Sequence, residues 1–128
     1  KSGGDVRNDV LEITKALADD SWLRIIMMLR RSELCVCQVI EVLGLANSTV
    51  SRHLSVLHNA GLLESRKEGR WVYYRLPDPK TADLRVGQAI GYVVAHLKDE
   101  PQIATDREKL TRILAMSPEE LCRTQPSA

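Results

Sequence analysis

Between Leu34 and Leu76 the spacing of the apolar residues changes once, and that change restricts the fold more than any other feature of the chain. Leu34, Val36, Val39, Ile40 and Leu43 recur at helical spacing and stop at Gly44, a residue suited to a left-handed helix cap. A few residues later Val50, Leu54 and Leu57 form a second helical stripe, which stops at Gly61. Two short helices joined by a tight glycine-containing link are the helix-turn-helix pattern. Beyond Gly61 the period becomes two. Leu62 to Lys67, a turn at Glu68-Gly69, and Arg70 to Leu76 read as a β-hairpin that Pro77 and Pro79 terminate.

Upstream, Val10, Ile13 and Leu17 mark a first helix from Asp9 that breaks near Asp19-Asp20. Trp22, Leu23, Ile25, Ile26, Met28 and Leu29 follow, apolar on nearly every side, so this second helix belongs at the centre of the core. Downstream, residues 83–98 return to helix with Leu84, Val86, Ala89, Ile90, Val93, Val94 and Leu97, more apolar than a solitary exposed helix needs. Gly87 and Gly91, four apart, would let a second helix come close; we expect this helix and the first to form a homodimer interface. After Pro101 a last helix runs from about Thr105 to Met116, then Ser117-Pro118 and a polar tail.

A chain of 128 residues accommodates one domain with a modest core. No apolar run approaches the ~18 residues of a membrane span. The first twenty residues carry charges throughout, with no signal-peptide stretch, so a cytoplasmic protein without membrane contact is expected. Aromatic residues are only 4%, too few for the base-stacking platforms of single-stranded nucleic-acid binders. The net charge of +1 hides an uneven distribution. Residues 47–76 hold five cations (Arg52, Arg66, Lys67, Arg70, Arg75) against two acids, Glu64 and Glu68, while the flanking segments are each slightly acidic.

A local basic face suits the phosphates of duplex DNA. With Val50, Leu54 and Leu57 turned inward, Ser48, Thr49, Ser51, Arg52 and Ser55 lie on the outward side of their helix. Short hydroxyls permit close approach to a groove, and Arg52 can fork onto guanine or a phosphate. Arg66, Lys67 and Arg70 flank the hairpin turn, where they would meet neighbouring phosphates. His53 and His58 border the core stripe and are given no metal role.

Three cysteines do not make a disulfide framework; reduced thiols are expected, available for metal binding, redox sensing or burial. Inside a regular helix Cys35 and Cys37 would point about 200° apart. They can converge if the pair straddles the helix entry, where the first residue is still extended. A helix N-terminus also favours the thiolate, a soft ligand for thiophilic ions. No phosphate-type cradle surrounds any cysteine, which argues against a thiol-based enzyme such as an oxyanion reductase, and no small organic substrate is expected.

These motifs, Glu33-Leu34-Cys35-Val36-Cys37-Gln38, Ser48-Thr49-Val50-Ser51-Arg52-His53-Leu54, Ala60-Gly61-Leu62-Leu63 and Arg70-Trp71-Val72-Tyr73-Tyr74-Arg75-Leu76, resemble in order the ArsR/SmtB family of winged-helix metalloregulators, closest to its arsenic-responsive members. The resemblance implies a repressor that binds operator DNA as a homodimer, needs no cofactor to do so, and dissociates when trivalent arsenic or antimony binds cysteine thiolates. It implies ligation by Cys35 and Cys37. Where the arsenic-responsive pattern has a third cysteine this chain has Ile40, so the third ligand is Cys122, from the same subunit or its partner, or a small exogenous ligand. A cadmium- or lead-responsive repressor, or a thiol-redox repressor of the same fold, is the alternative. The expected architecture is mainly α with a small β-hairpin, a dimeric winged helix-turn-helix ordered ααααββαα. Residues 1–7 are expected as a flexible leader, 8–116 as the DNA-binding and dimerisation domain, and 117–128 as a flexible tail carrying Cys122.

Overall fold

A computed structural model describes residues 5–125. The elements run α1 (Val6–Ala16), α2 (Asp20–Leu29), β1 (Leu34–Cys35), α3 (Val36–Leu43), α4 (Asn47–Asn59), β2 (Glu64–Glu68), β3 (Trp71–Arg75), α5 (Leu84–Leu97), α6 (Pro101–Leu114) and α7 (Pro118–Thr124). It is a winged helix-turn-helix: α3 and α4 are the paired helices, and the β2–β3 hairpin is the wing.

Local chemistry sets the helix ends. The Asp19 carboxylate accepts from the Ser21 and Trp22 backbone N–H groups at 2.8 and 3.3 Å, satisfying two of the orphan donors at the start of α2. Gly44 closes α3 at φ 69°, where a side-chain-bearing residue would be strained, and the chain turns at once into α4. The second helix is as central as its composition predicts: Ile25 through Leu29 are all buried.

Four details differ from the sequence-based expectation. First, residues 1–4 of the expected leader lie outside the described residues, but Asp5 caps the first helix and Val6 and Arg7 belong to it. Asp5 accepts from the Asn8 backbone N–H at 3.1 Å and starts α1 ahead of Asp9. Second, α3 begins at Val36, because Leu34 and Cys35 form a short strand opposite Tyr74 and Tyr73 of β3. The sheet therefore has three antiparallel strands in the order β1-β3-β2. Third, the hairpin turn is Gly69-Arg70, one residue later than expected. Glu68 pairs with Trp71, and positive φ (60°) falls on the first central residue, as a type II′ turn requires.

The fourth difference bears on function. Residues 117–125, expected as a tail, form α7. Ser117 caps it, accepting from the Glu120 backbone N–H at 3.2 Å, while Glu120 accepts in return from Ser117; Pro118 takes the first helical position. α7 packs against α3 and buries Leu121 to 2% exposure. The helix before it, α6, begins at Pro101 rather than Thr105 and packs on α2 and α3 through Ile103, Leu110 and Ile113. Its buried Asp106 receives Arg24 Nε and Nη2 at 2.8 and 2.9 Å and Gln102 Nε2 at 3.0 Å. The Asp106 carboxylate holds the Arg24 guanidinium above its ordinary pKa. The chain beyond the wing thus completes the core that α2 and α3 begin.

Candidate nucleic-acid face and thiol site

The α4 helix presents Val50, Leu54 and Leu57 to the core, and all three are fully buried. Ser48, Ser51, Arg52 and Ser55 are exposed and Thr49 is half-buried, so the five candidate contacts share the outward side of one helix. His53 lies on the flank of α4. Trp22 Nε1 of α2 donates to its Nδ1 at 2.6 Å, and the two rings meet edge to face. An indole nitrogen only donates, so Nδ1 is the accepting nitrogen and the neutral ring carries its proton on Nε2. His58 is likewise engaged, with Nε2 3.3 Å from the Ser65 hydroxyl and its ring against Tyr74.

Arg66, Lys67 and Arg70 are exposed on the wing, but they differ in freedom. Arg66 donates through Nε and Nη2 to the Glu33 carboxylate at 2.9 and 2.8 Å and through Nη1 to Glu68 at 2.6 Å; its guanidinium lies 4.7 Å from the Tyr73 ring centre. These carboxylates push the Arg66 pKa above its usual value, and Arg66 in turn holds Glu33 below the normal carboxylate range. Arg66 therefore braces the wing to the β1 entry as well as lining the basic face. Arg70 lies over Trp71, 5.0 Å from its ring centre, with Glu119 of α7 at 3.9 Å. Among the described residues Arg52 and Lys67 form no ion pair.

The thiols sit at the junction of the helix pair and the wing. Cys35 is the N-cap of α3, extended at φ −86° and ψ 164°, with its N–H donating to Gln38 Oε1 at 2.9 Å. It is also a strand residue opposite Tyr73 and only 1% exposed. Burial raises the Tyr73 phenol pKa, and the nearby Cys35 sulfur adds to the shift. Cys37 occupies the first turn of α3 and forms a disulfide with Cys122 of α7, their Cα atoms 5.5 Å apart and 85 residues apart in sequence. Gln125 reinforces this junction, its Nε2 donating to the Cys37 carbonyl at 2.8 Å and to Glu41 Oε1 at 3.2 Å. The structure therefore brings Cys37 and Cys122 together and leaves Cys35 apart as a free, buried thiol. Among the described residues no group of three or more His, Cys, Asp or Glu side chains is placed to hold a metal ion.

The protein-family model for the arsR family of bacterial regulatory proteins matches residues 19–65, which run from the α2 cap through the helix pair into β2. An HTH-type transcriptional regulator from Methanocaldococcus jannaschii is 36% identical over 74 residues, covering 57% of this chain and 83% of that one. The chain belongs to the arsR family. The arsenic resistance transcriptional regulator ArsR1 of Pseudomonas putida is 46% identical over 65 residues, 50% of this chain and 51% of the relative, so the match spans about half of that relative's length. Among solved structures, the homodimeric winged helix-turn-helix DNA-binding domain of a Mycobacterium bovis protein aligns with a TM-score of 0.60 at 28% identity, covering 77% of this chain and 92% of that chain.

Sequence reasoning misses the Arg24–Asp106 pair, the Arg66–Glu33 brace and the Trp22–His53 bond. Each joins residues 31 or more positions apart, and no local pattern marks such partners. The α7 cap is different. Ser117-Pro118-Glu119-Glu120 carries both a capping box and a proline at the first helical position, which together signal a helix start.

Proposed function

We propose that this family member is a cytoplasmic repressor that binds duplex operator DNA as a homodimer and lets go when trivalent arsenic or antimony binds its cysteine thiolates. The α4 face supports the reading most directly: Ser48, Thr49, Ser51, Arg52 and Ser55 stand together on the outward side, flanked by the cations of the wing. In that role α4 enters the major groove, and Arg66, Lys67 and Arg70 meet the backbone beside it. Among the described residues no helix is long and apolar enough to cross a membrane, and the chain's relatives are regulators rather than enzymes.

Dimerisation uses α1 and α5. They pack side by side and leave Val6, Val10 and Leu11 on one, and Leu84 and Tyr92 on the other, exposed by 42 to 74%. A Cβ added at Gly87 or Gly91 would meet nothing within 4 Å, so α5 has room there for a partner helix. The M. bovis neighbour is a homodimer of the same fold.

The switch follows from where the sulfurs sit. Cys35 belongs to the sheet that carries the wing, whereas Cys37 belongs to the helix that leads through Gly44 into α4. An ion drawing Cys35, Cys37 and Cys122 together would change the placement of wing and recognition helix relative to each other. Allosteric couplings of about 1–3 kcal/mol, or 5- to 150-fold in affinity, are typical of such devices. The Cys37–Cys122 bond favours a second reading, a thiol-redox repressor in which the same two residues sense oxidant; cadmium or lead would engage the same soft ligands. The test is operator binding by fluorescence anisotropy with the reduced protein, titrated with arsenite, with cadmium and, separately, with peroxide. Arsenite should release the wild-type protein but not Cys37→Ser. Release by peroxide alone would select the redox reading, and failure to bind any duplex more tightly than random DNA would remove both.

A further inference from the structure

Between the C-terminal end of α2 and α6 lies a cleft of about 300 Å3. Met27 and Met28 of α2 and Ile103 and Leu110 of α6 give it an apolar lining, each no more than 7% exposed. Arg30, Arg31 and Arg107 are exposed and bring three guanidinium groups to its rim. Among the described residues none of the three forms an ion pair; Arg107 Nη2 makes only a 3.4 Å hydrogen bond to the Lys98 carbonyl. The one acid that lines the cleft, Asp106, is already neutralised by the two hydrogen bonds from Arg24 and holds Gln102 as well. The charge left facing the cleft is therefore positive. None of the lining residues belongs to α4, the wing or the α1–α5 face, and no cysteine or histidine is among them.

We propose that this cleft is a binding site for a medium-chain aliphatic carboxylate. Its chain lies on the methionines between α2 and α6, and Arg30, Arg31 and Arg107 hold its head group. A water-excluding apolar lining with a few convergent charges is the usual make-up of a small-molecule site. The planar guanidinium fork matches a carboxylate in shape as well as in charge. Methionine side chains adjust to a flexible aliphatic chain, and no aromatic ring is present to stack on an aryl one. The volume holds about ten groups the size of a water molecule, which is the size of octanoate. The ligand is bound rather than turned over, because no nucleophile faces it. It adds contacts between α2 and α6, and α6 in turn holds the end of α3, where Lys109 Nζ donates to the Val42 carbonyl at 3.0 Å. The site is independent of the thiols and of the DNA-binding reading.

The probe is sodium octanoate, titrated calorimetrically into the full chain at fixed salt beside sodium butyrate, octan-1-ol and octylammonium chloride. Octanoate should bind once per chain. Butyrate, shorter by about four methylenes, should bind at least about tenfold more weakly. Octan-1-ol, which keeps the chain without the charge, should bind at least about fivefold more weakly, and octylammonium should not bind. Arg31→Gln and Arg107→Gln should each weaken octanoate at least about threefold while leaving octan-1-ol unchanged, which also reports that the cleft is intact. Arg112→Gln, an exposed cation of α6 outside the cleft, should change neither. Octanoate binding as tightly to Arg31→Gln and Arg107→Gln as to the wild type would overturn the proposal. So would octan-1-ol or octylammonium binding as tightly as octanoate, or no octanoate binding at all.

Discussion

Opening the Cys37–Cys122 bond should cost the protein several kilocalories of stability, and the size follows from how much chain the bond encloses. The two residues are 85 apart, so the closed loop takes in α4, the wing, α5 and α6. For a loop of that length the chain-entropy model removes about 15 cal/mol/K from the unfolded state, or about 4.6 kcal/mol at 25 °C. Measured values usually fall in the range of about 2–4 kcal/mol, since the unfolded chain retains some structure and enthalpic effects intervene. A chain of 128 residues unfolds with an entropy of about 270 cal/mol/K. The bond should therefore raise the melting midpoint by roughly 7–15 °C. The assay is urea denaturation of oxidised and phosphine-reduced protein side by side, followed by circular dichroism. The oxidised form should unfold at higher urea, and Cys122→Ser should show one curve under both conditions. Coincident curves for the wild type, or a redox difference that survives in Cys122→Ser, would refute the assignment of this pair.

Three further results follow from particular contacts. Asp106→Ala should destabilise the fold by about 2–4 kcal/mol in the same denaturation assay, because it leaves the partly buried Arg24 without its carboxylate and loosens α6 from α2. The Glu33–Arg66 brace should make stability fall as pH drops: Glu33 has a lowered pKa when folded, so its contribution is present above the ordinary carboxylate pKa and disappears as pH falls through the folded value. Because Arg66 is exposed and Glu33 only half-buried, solvent screens the pair and the effect is small; it should be absent in an acid titration of Glu33→Gln. If Arg52 meets a phosphate, Arg52→Ala should weaken operator binding and flatten the plot of log affinity against log salt by about one unit of slope; an unchanged slope would take Arg52 off the backbone.

The parts of this molecule that are local along the chain are legible in its sequence. The stripes ending at Gly44 and Gly61 mark both helices of the pair, because a helix face and its glycine stop are written within one dozen residues. The same period fixes which side of α4 carries Ser48, Arg52 and Ser55. The wing is legible as alternation, but its turn is not: both Glu68-Gly69 and Gly69-Arg70 contain the glycine, and only strand pairing chooses between them. β1 is invisible for a related reason. Two residues have no period, and Leu34 and Cys35 become a strand only because β3 offers them backbone partners. The thiol site is half legible. Helix geometry says only that Cys35 and Cys37 could converge if Cys35 were extended at the helix entry; Cys35 is extended there, but its pairing opposite Tyr73 buries it apart from Cys37, and the return of Cys122 across the face of α3 depends on tertiary packing by Leu121 and Gln125.

Ligand-dependent loss of DNA affinity is the claim on which the rest turns, and a pair of dissociation constants tests it. The reduced protein is titrated onto one operator duplex at fixed salt, first alone and then saturated with a trivalent arsenical. The account predicts that saturation weakens binding at least about fivefold. Two equal constants would contradict it.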